Sequence, residues 1–493
     1  METLLDQADA LIKAADPDDG PERPSFDIPE SLLPLTMPNG DVLEIRENPS
    51  KGRGWCAKQP IPAGTVLFVA KPIAMALDME YVGPDQNNDE DVDEEFMEEY
   101  ENQEEQGSTV NELLVLEVLQ SIFSNPSIWT EQVSLLYPRD SVDIEASPVW
   151  ISRDDSIFGQ YEALIEQLET VPALQGKSKE ISQRLPLIIR YNVLSIETCP
   201  ELLSHPGPNG HAPLSGVGLY HWPSFFNHDG RPNVSRYAVG DIMWFVTNQD
   251  IAGGSELCIS YLEHDILCES PQRRNLMLRM DFKEDEGVFL KGGALPGPSA
   301  ESDGPDAPVV DDDVQNELMG MNTFERLEAI DQLIQQAAGE ALPEGEGVDL
   351  EGNEDDMEAH GEAWFQCDLQ NLRILKAITL EAMGFSDKAL SIWEECVRFT
   401  ETQMPPNDET SIVMRVQAAL CSLHLKQETV ARQHASVALQ RHHLIFGGGV
   451  GRFRRRYRQE FLLNLRPADS TTTASGVNGG VSMEEFLWPH VDY

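Results

Sequence analysis

Strand-forming sequence comes in two blocks of this chain, and a long stretch of different character lies between them. In the first block Val42-Leu43-Glu44-Ile45 alternates, a glycine-rich turn follows, and Thr65-Val66-Leu67-Phe68-Val69 is β-branched and apolar. In the second, Ile242-Met243-Trp244-Phe245-Val246 runs through the turn Asp250-Ile251-Ala252-Gly253-Gly254 into Leu257-Cys258-Ile259-Ser260-Tyr261. Between them Asp85 to Gln106 is nearly all Asp, Glu, Asn and Gln, a composition that cannot bury enough apolar surface to order itself. Helical spacing returns at Glu112 to Phe123 (Leu113, Leu114, Leu116, Leu119, Phe123) and at Ile157 to Leu168, so 107–190 reads as a small helical insert. The order implies an α+β protein whose strand region is split by an insertion.

After a linker rich in Gly, Pro, Ser and Asp at 292–313, the pattern is helical. Leu372 to Met383 is apolar at i, i+3 and i+4, and Gly384-Phe385-Ser386-Asp387 is a stop-and-restart signal. Ala389 to Val397, Ile412 to Leu425 and Val430 to Leu444 extend the series. Antiparallel helix pairs of this size resemble tetratricopeptide units in architecture, without an exact 34-residue period. The expected divisions are an extension over 1–40, strands over 41–77, the acidic loop and insert over 78–184, a second strand part over 185–290, a linker over 291–313, helices over 314–466 and a tail over 467–493.

A chain of 493 residues with 41% apolar content has room for two or three packed cores. Met1 to Ala15 reads as a short amphipathic helix and not as a secretion signal, and no apolar run reaches the ~20 residues needed to span a bilayer. No membrane role is expected, and the expected compartment is intracellular, nucleus and/or cytoplasm. The seven cysteines are scattered, which fits reduced thiols better than a disulfide framework or a zinc site. The net charge of −50 is uneven, with no Lys or Arg between Lys71 and Arg139 or between Arg326 and Arg373. Such a field repels phosphate backbones and argues against direct nucleic-acid binding. It suits a basic peptide as partner, or serves only to solvate exposed loops.

Three short stretches carry the chemistry. The first is Gly52-Arg53-Gly54-Trp55 with Ile61-Pro62-Ala63-Gly64, where glycines between strands let backbone amides approach a ligand. The second is Phe225-Phe226-Asn227-His228 with Pro232-Asn233-Val234, and the third is Gly254-Ser255-Glu256-Leu257-Cys258-Ile259-Ser260-Tyr261. In order and in pattern they resemble the motifs of SET-domain protein methyltransferases. Gly216-Val217-Gly218-Leu219-Tyr220 and Tyr191-Asn192-Val193-Leu194-Ser195-Ile196 are similar to segments of the SET-and-MYND (SMYD-like) group and its fungal relatives.

The resemblance implies a SET β-fold with a pseudoknot-like crossing, S-adenosylmethionine as cofactor, and methyl transfer to a lysine of a protein such as a histone. Arg53 and Gly54 would hold the amino-acid end of the cofactor, Asn192 would touch it as well, and Asn227 and His228 would grip its adenine and ribose. Phe282 would complete the cofactor site. Tyr220, Phe226 and Tyr261 would line the lysine channel, although each of the first two also reads as plain core. Tyr261 is the expected catalytic residue. A lysine ammonium with a pKa near 10.4 lies roughly 3 units, about 4–5 kcal/mol, from its nucleophilic form at neutral pH. A narrow apolar channel disfavours the charged form, and the phenol can then hold the neutral amine in line with the methyl.

The sequence departs from the family in places. Asp229-Gly230 follows Asn227-His228 where Ser-Cys is usual, no MYND finger is present, and Glu284 and Glu286 stand where cysteines would bind zinc after Phe282. No metal site is expected, because His211, His221 and His228 also lack partners at ligand spacing. A non-catalytic scaffold, binding partners through its C-terminal helices, is the alternative; methylation of histidine is a third. Phe446-Gly447-Gly448-Gly449-Val450-Gly451 reads as a helix-ending loop. Arg452 to Arg458 is either an import or nucleic-acid signal or a solvated helix face paired with the chain's own acids.

Overall fold

The computed structural model describes residues 30–48, 51–77, 112–146, 164–197, 215–239, 241–261, 312–340, 370–403, 406–407, 409–447, 449–457 and 487–488. Strands β1 (Leu43–Asn48) and β2 (Gly52–Ala57) form an antiparallel hairpin, followed by β3 (Val66–Ala70) and β4 (Ala74–Leu77). The insert contributes α1 (Glu112–Ser124), α2 (Ser127–Glu131), α3 (Ser141–Ala146), the short helix α4 over 164–168 and α5 (Ser178–Asn192). Strands then resume as β5 (Val193–Glu197), β6 (Ser215–Leu219), β7 (Asn227–His228), β8 (Val234–Val239), β9 (Ile242–Thr247) and β10 (Cys258–Ile259).

The sheets are stitched across the insertion. β3 pairs with β9 in the order β3-β9-β8, and β4 pairs with β6 in the order β4-β6-β5, so each three-stranded sheet takes one strand from before the insert and two from after it. β7 and β10 run parallel, with Asn227 opposite Cys258 and His228 opposite Ile259. A parallel pair cannot be closed by a tight turn, and here the β8–β9 hairpin makes the crossover.

One core joins the sheets and the insert. Leu114, Val115, Val118, Leu119 and Ile122 of α1 pack with Phe68, Phe226, Phe245 and Ile259. The apolar stripe expected on α1 is therefore rotated. Leu113 and Phe123 are 59% and 49% exposed, because the face meeting the sheet follows the 114-118-122 and 115-119 rows. Of the helix expected over Ile157 to Leu168, only 164–168 lies within the described residues. Arg184 rivets the insert, donating from Nε to Pro138 O at 3.1 Å and from Nη2 to Ser134 O at 2.7 Å, with its guanidinium over the Trp129 ring.

The C-terminal region contains α6 (Asp312–Gly320), α7 (Thr323–Glu340), α8 over 370–382, α9 (Ser386–Gln403), α10 (Thr410–His424), α11 (Glu428–Ile445) and α12 (Val450–Arg456). The helix pattern begins inside the expected linker, since Asp312 already opens α6. Glu401 of α9 accepts both arms of Arg415 of α10, at 2.8 and 2.7 Å, and lies 3.2 Å from Arg441 of α11.

This region docks on the strand region through α12 and the loop before it. Gly447 has φ +66°, and a Cβ there would fall on the Tyr237 ring of β8. Arg452 is 1% exposed, stacks over Tyr237 at 5.2 Å and donates to Ala238 O at 3.3 Å. The reading of Arg452 to Arg458 as a solvated face is corrected for Arg452, which is buried at the junction; Arg456 does pair with an acid, Glu409, at 2.7 Å. Cys56, Cys258, Cys396 and Cys421 are buried thiols outside any disulfide, and that of Cys421 donates to Glu381. Among the described residues no helix is long and apolar enough to cross a membrane. Met1 to Ala15, Asp85 to Gln106, Phe282, Glu284, Glu286 and the tail over 467–486 lie outside the described residues.

Candidate functional site

The three sequence motifs meet at Gly54. It lies on β2 opposite Arg46, and a Cβ built on it would collide with Glu256 Oε1 and stand 2.6 Å from Asn227 Nδ2. Only a glycine lets the β2 backbone come this close to both side chains. Those two side chains are themselves joined, Asn227 Nδ2 donating to Glu256 Oε1 at 2.7 Å. A second asparagine of the same motif completes the junction. Asn233 donates from Nδ2 to Glu256 O at 2.8 Å and accepts at Oδ1 from Cys258 N at 2.9 Å, so its amide substitutes for a neighbouring peptide.

His228 and Tyr261 follow from the β7–β10 pairing. The Tyr261 N–H donates to His228 Nδ1 at 3.0 Å, and in the neutral ring this leaves the proton on Nε2. The two rings lie 5.2 Å apart. The Tyr261 hydroxyl donates to Phe226 O at 2.8 Å. Burial, followed by the neighbouring Cys258 and the charge of Glu256, pushes this phenol well above the ordinary tyrosine range. It keeps its proton, and with that proton on a carbonyl the oxygen can offer a third group only a lone pair.

Several expected residues are brought together: Gly54, Asn227, His228 and Tyr261 share one junction. Others have different occupations. The Arg53 side chain leaves the junction, donating to Leu135 O and lying over the Phe225 ring at 5.0 Å. Asn192 is buried with its Nδ2 bonded to Tyr137 O and Ile188 O, both at 2.7 Å. The Phe226 ring packs against Phe68 and Phe245, at 5.6 and 5.0 Å, in a three-ring cluster whose other two members lie 5.1 Å apart, and its carbonyl is what reaches the site. Tyr220 is fully buried in the same core, and burial raises its phenol above the usual range. Both rings are buried, and the Tyr220 hydroxyl has no hydrogen-bond partner among the described residues. Phe282 lies outside the described residues.

Two features of the site were not read from the sequence. One is Glu256, present in the motif but without an assigned task. The other is the 134–138 strap of the insert, whose main-chain carbonyls receive Arg53, Arg184 and Asn192. Any residue can supply a main-chain carbonyl, so such a strap has no compositional signature.

Residues 52–262 match the family model for the SET domain. This stretch has a SET fold, its strands lying on both sides of the helical insert, and a helical region follows it. No curated protein matches the chain. Among the matching solved structures is "Crystal structure of the SET domain of LSMT bound to Lysine and AdoHcy", at 12% identity and a TM-score of 0.21, covering 89% of this chain and 95% of that one. So loose a superposition carries no argument about this chain. The cofactor of SET methyltransferases is S-adenosylmethionine. The junction offers such a ligand the Asn227 amide beside a close-approach glycine, with the Glu256 carboxylate behind that amide.

Proposed function

We propose that the chain is an S-adenosylmethionine-dependent protein-lysine N-methyltransferase acting on basic segments of proteins, histone tails or non-histone targets. The observation that carries this reading is the Tyr261 hydroxyl held on Phe226 O, 2.8 Å away, directly before the Asn227 that meets Gly54 and Glu256. Bound at that junction, the cofactor supplies a methyl group already activated by a positive sulfur. Gly54, Asn227 and His228 would hold it, and the chain's remaining work is to position an amine.

The phenol of Tyr261 stays protonated and is no general base. Its oxygen can accept an N–H of a neutral lysine amine, fixing the nitrogen lone pair in line for attack, and alignment of this kind supplies most of the acceleration when the methyl donor is already activated. Solvent takes the lysine proton before attack, in surroundings whose burial disfavours the ammonium. The chain's net charge of −50 favours basic peptides over nucleic acid. Likeness to the SMYD-like group, a threaded crossing at β7–β10, tetratricopeptide-like helix pairs that bind partners and an intracellular location belong to the same reading.

The test is a radiolabelled methyl-transfer assay of the full chain on core histones and cell extract, with mass spectrometry of the product. Methyl-lysine is the expected mark. Methyl-histidine alone overturns the lysine assignment, and neither transfer nor cofactor binding leaves the scaffold reading in its place.

A further inference from the structure

Glu256 sits where the motifs meet, yet it is part of neither the phenol's contact nor the close-approach turn. Its three acceptors are all in use by asparagines. Oε1 receives Asn227 Nδ2 at 2.7 Å, Oε2 receives Asn48 Nδ2 at 3.2 Å, and its main-chain oxygen receives Asn233 Nδ2 at 2.8 Å. An ionised carboxylate has no hydrogen to donate, so each asparagine must present its NH2 group to it. For Asn227 this decides the other end of the amide. Its Oδ1 is turned away from Glu256, as an acceptor. A primary amide without such a partner can rotate by half a turn and offer an NH2 in the same place.

Resting on the methyltransferase reading, we infer that Glu256 is a positioning residue for the cofactor: it locks the Asn227 amide so that a carbonyl oxygen meets an N–H donor of S-adenosylmethionine. That donor is either the adenine 6-amino group or the α-ammonium. Asn48 steadies the carboxylate from β1, and Asn233 steadies its backbone, so the hairpin, the Asn-His motif and the tyrosine motif act on one amide. Glu256 acts through Asn227 and not on the reacting atoms.

The experiment is calorimetric titration of the full chain with S-adenosylmethionine in a double-mutant cycle. Glu256→Ala is expected to weaken binding roughly tenfold, ~1.4 kcal/mol, within the range for a hydrogen bond to a charged group. Glu256→Gln, whose carbonyl still accepts from Asn227, is expected to recover most of the loss. In an Asn227→Ala background, Glu256→Ala is expected to add less than about twofold, since coupled residues are not additive. Glu256→Ala alone should raise KM for the cofactor far more than it lowers kcat at saturation, a split that general loosening of the fold does not produce. Titration with 5′-methylthioadenosine, which lacks the amino-acid end, separates the two donors: a loss in Glu256→Ala assigns the adenine, and no loss assigns the ammonium. If Glu256→Ala does not melt cooperatively, Glu256→Leu closes the same cycle. Wild-type affinity in Glu256→Ala, or a full tenfold loss repeated without Asn227, overturns the role. A wild-type chain that binds no cofactor removes the methyltransferase reading and this role together.

Discussion

The strand region and the C-terminal helices solve the same problem, holding charged and polar side chains in fixed places, in opposite ways. In the helices the Glu401–Arg415–Arg441 cluster joins α9, α10 and α11, which follow one another in the chain. At the candidate site Gly54 meets Asn227 and Glu256 across the whole insert, and Tyr261 reaches back to Phe226 and His228. A helical cluster of this kind serves packing, and losing it loosens its own neighbourhood. The strand junction is held on several sides, so a small change there alters function before it alters stability. The comparison predicts that stability and function separate along the chain.

The largest effect tests the functional end of that separation. Tyr261→Phe removes the oxygen that aligns the amine and is expected to lower methyl-transfer kcat on the order of 100-fold, while cofactor affinity changes by no more than about threefold. Single-turnover kinetics beside calorimetry reads both, and equal rates for the two proteins remove Tyr261 from the chemistry.

Glu401→Ala tests the structural end. It leaves the Arg415 and Arg441 guanidiniums half-buried without their carboxylate, and is expected to cost about 2–3 kcal/mol, less than a fully buried pair because both partners keep some solvent contact. Thermal unfolding should show the loss and cofactor titration should not; a large drop in cofactor affinity would dissolve the distinction between the regions. Gly54→Ala is expected to do the reverse. The added methyl meets the ends of flexible side chains, which can move, so unfolding changes little; but the Asn227–Glu256 pair is displaced, and cofactor affinity falls roughly tenfold, ~1.4 kcal/mol.

The smallest expected effect is a pH dependence confined to the helices. Burial, and then the adjacent Arg415, lowers the pKa of His434, against the weaker pull of Glu394 and Glu401. The unfolded chain therefore takes up this proton more readily than the folded one. The contribution to stability is present above the ordinary histidine range, near pH 6.5, and is lost as pH falls through the lowered folded value. Melting temperature should decline on acidification from about pH 7 to pH 5, and His434→Gln should remove part of that decline. An unchanged slope in the variant assigns the acid sensitivity elsewhere.

Much of the strand region was visible as pattern. Alternation marked β1, apolar runs marked β3 and β9, and the short motifs pointed to Gly54, Asn227, His228 and Tyr261. β7 and β10 are two residues long, too short for any periodicity, and exist because they pair with each other. Tyr220 and Phe226 looked equally fit for a channel wall or a core, since an aromatic ring suits either; the stack with Phe68 and Phe245 places Phe226 in the core. Arg452 stood in a run of arginines that resembles a solvated face, and is buried because Tyr237 and the Ala238 carbonyl offer its guanidinium a ring and an acceptor.

The sequence alone determined the split of the strand region, the helical character of the C-terminal part and the residue types at the junction, because periodicity and local motifs are properties of neighbouring residues. Tertiary structure decided that Arg53 and Asn192 turn to the insert's carbonyls, that Glu256 faces Asn227, and that α12 closes on β8. Those are partnerships between distant groups. Which acceptor a side chain finds depends on what the rest of the chain brings within about 3 Å of it, and no local pattern carries that distance.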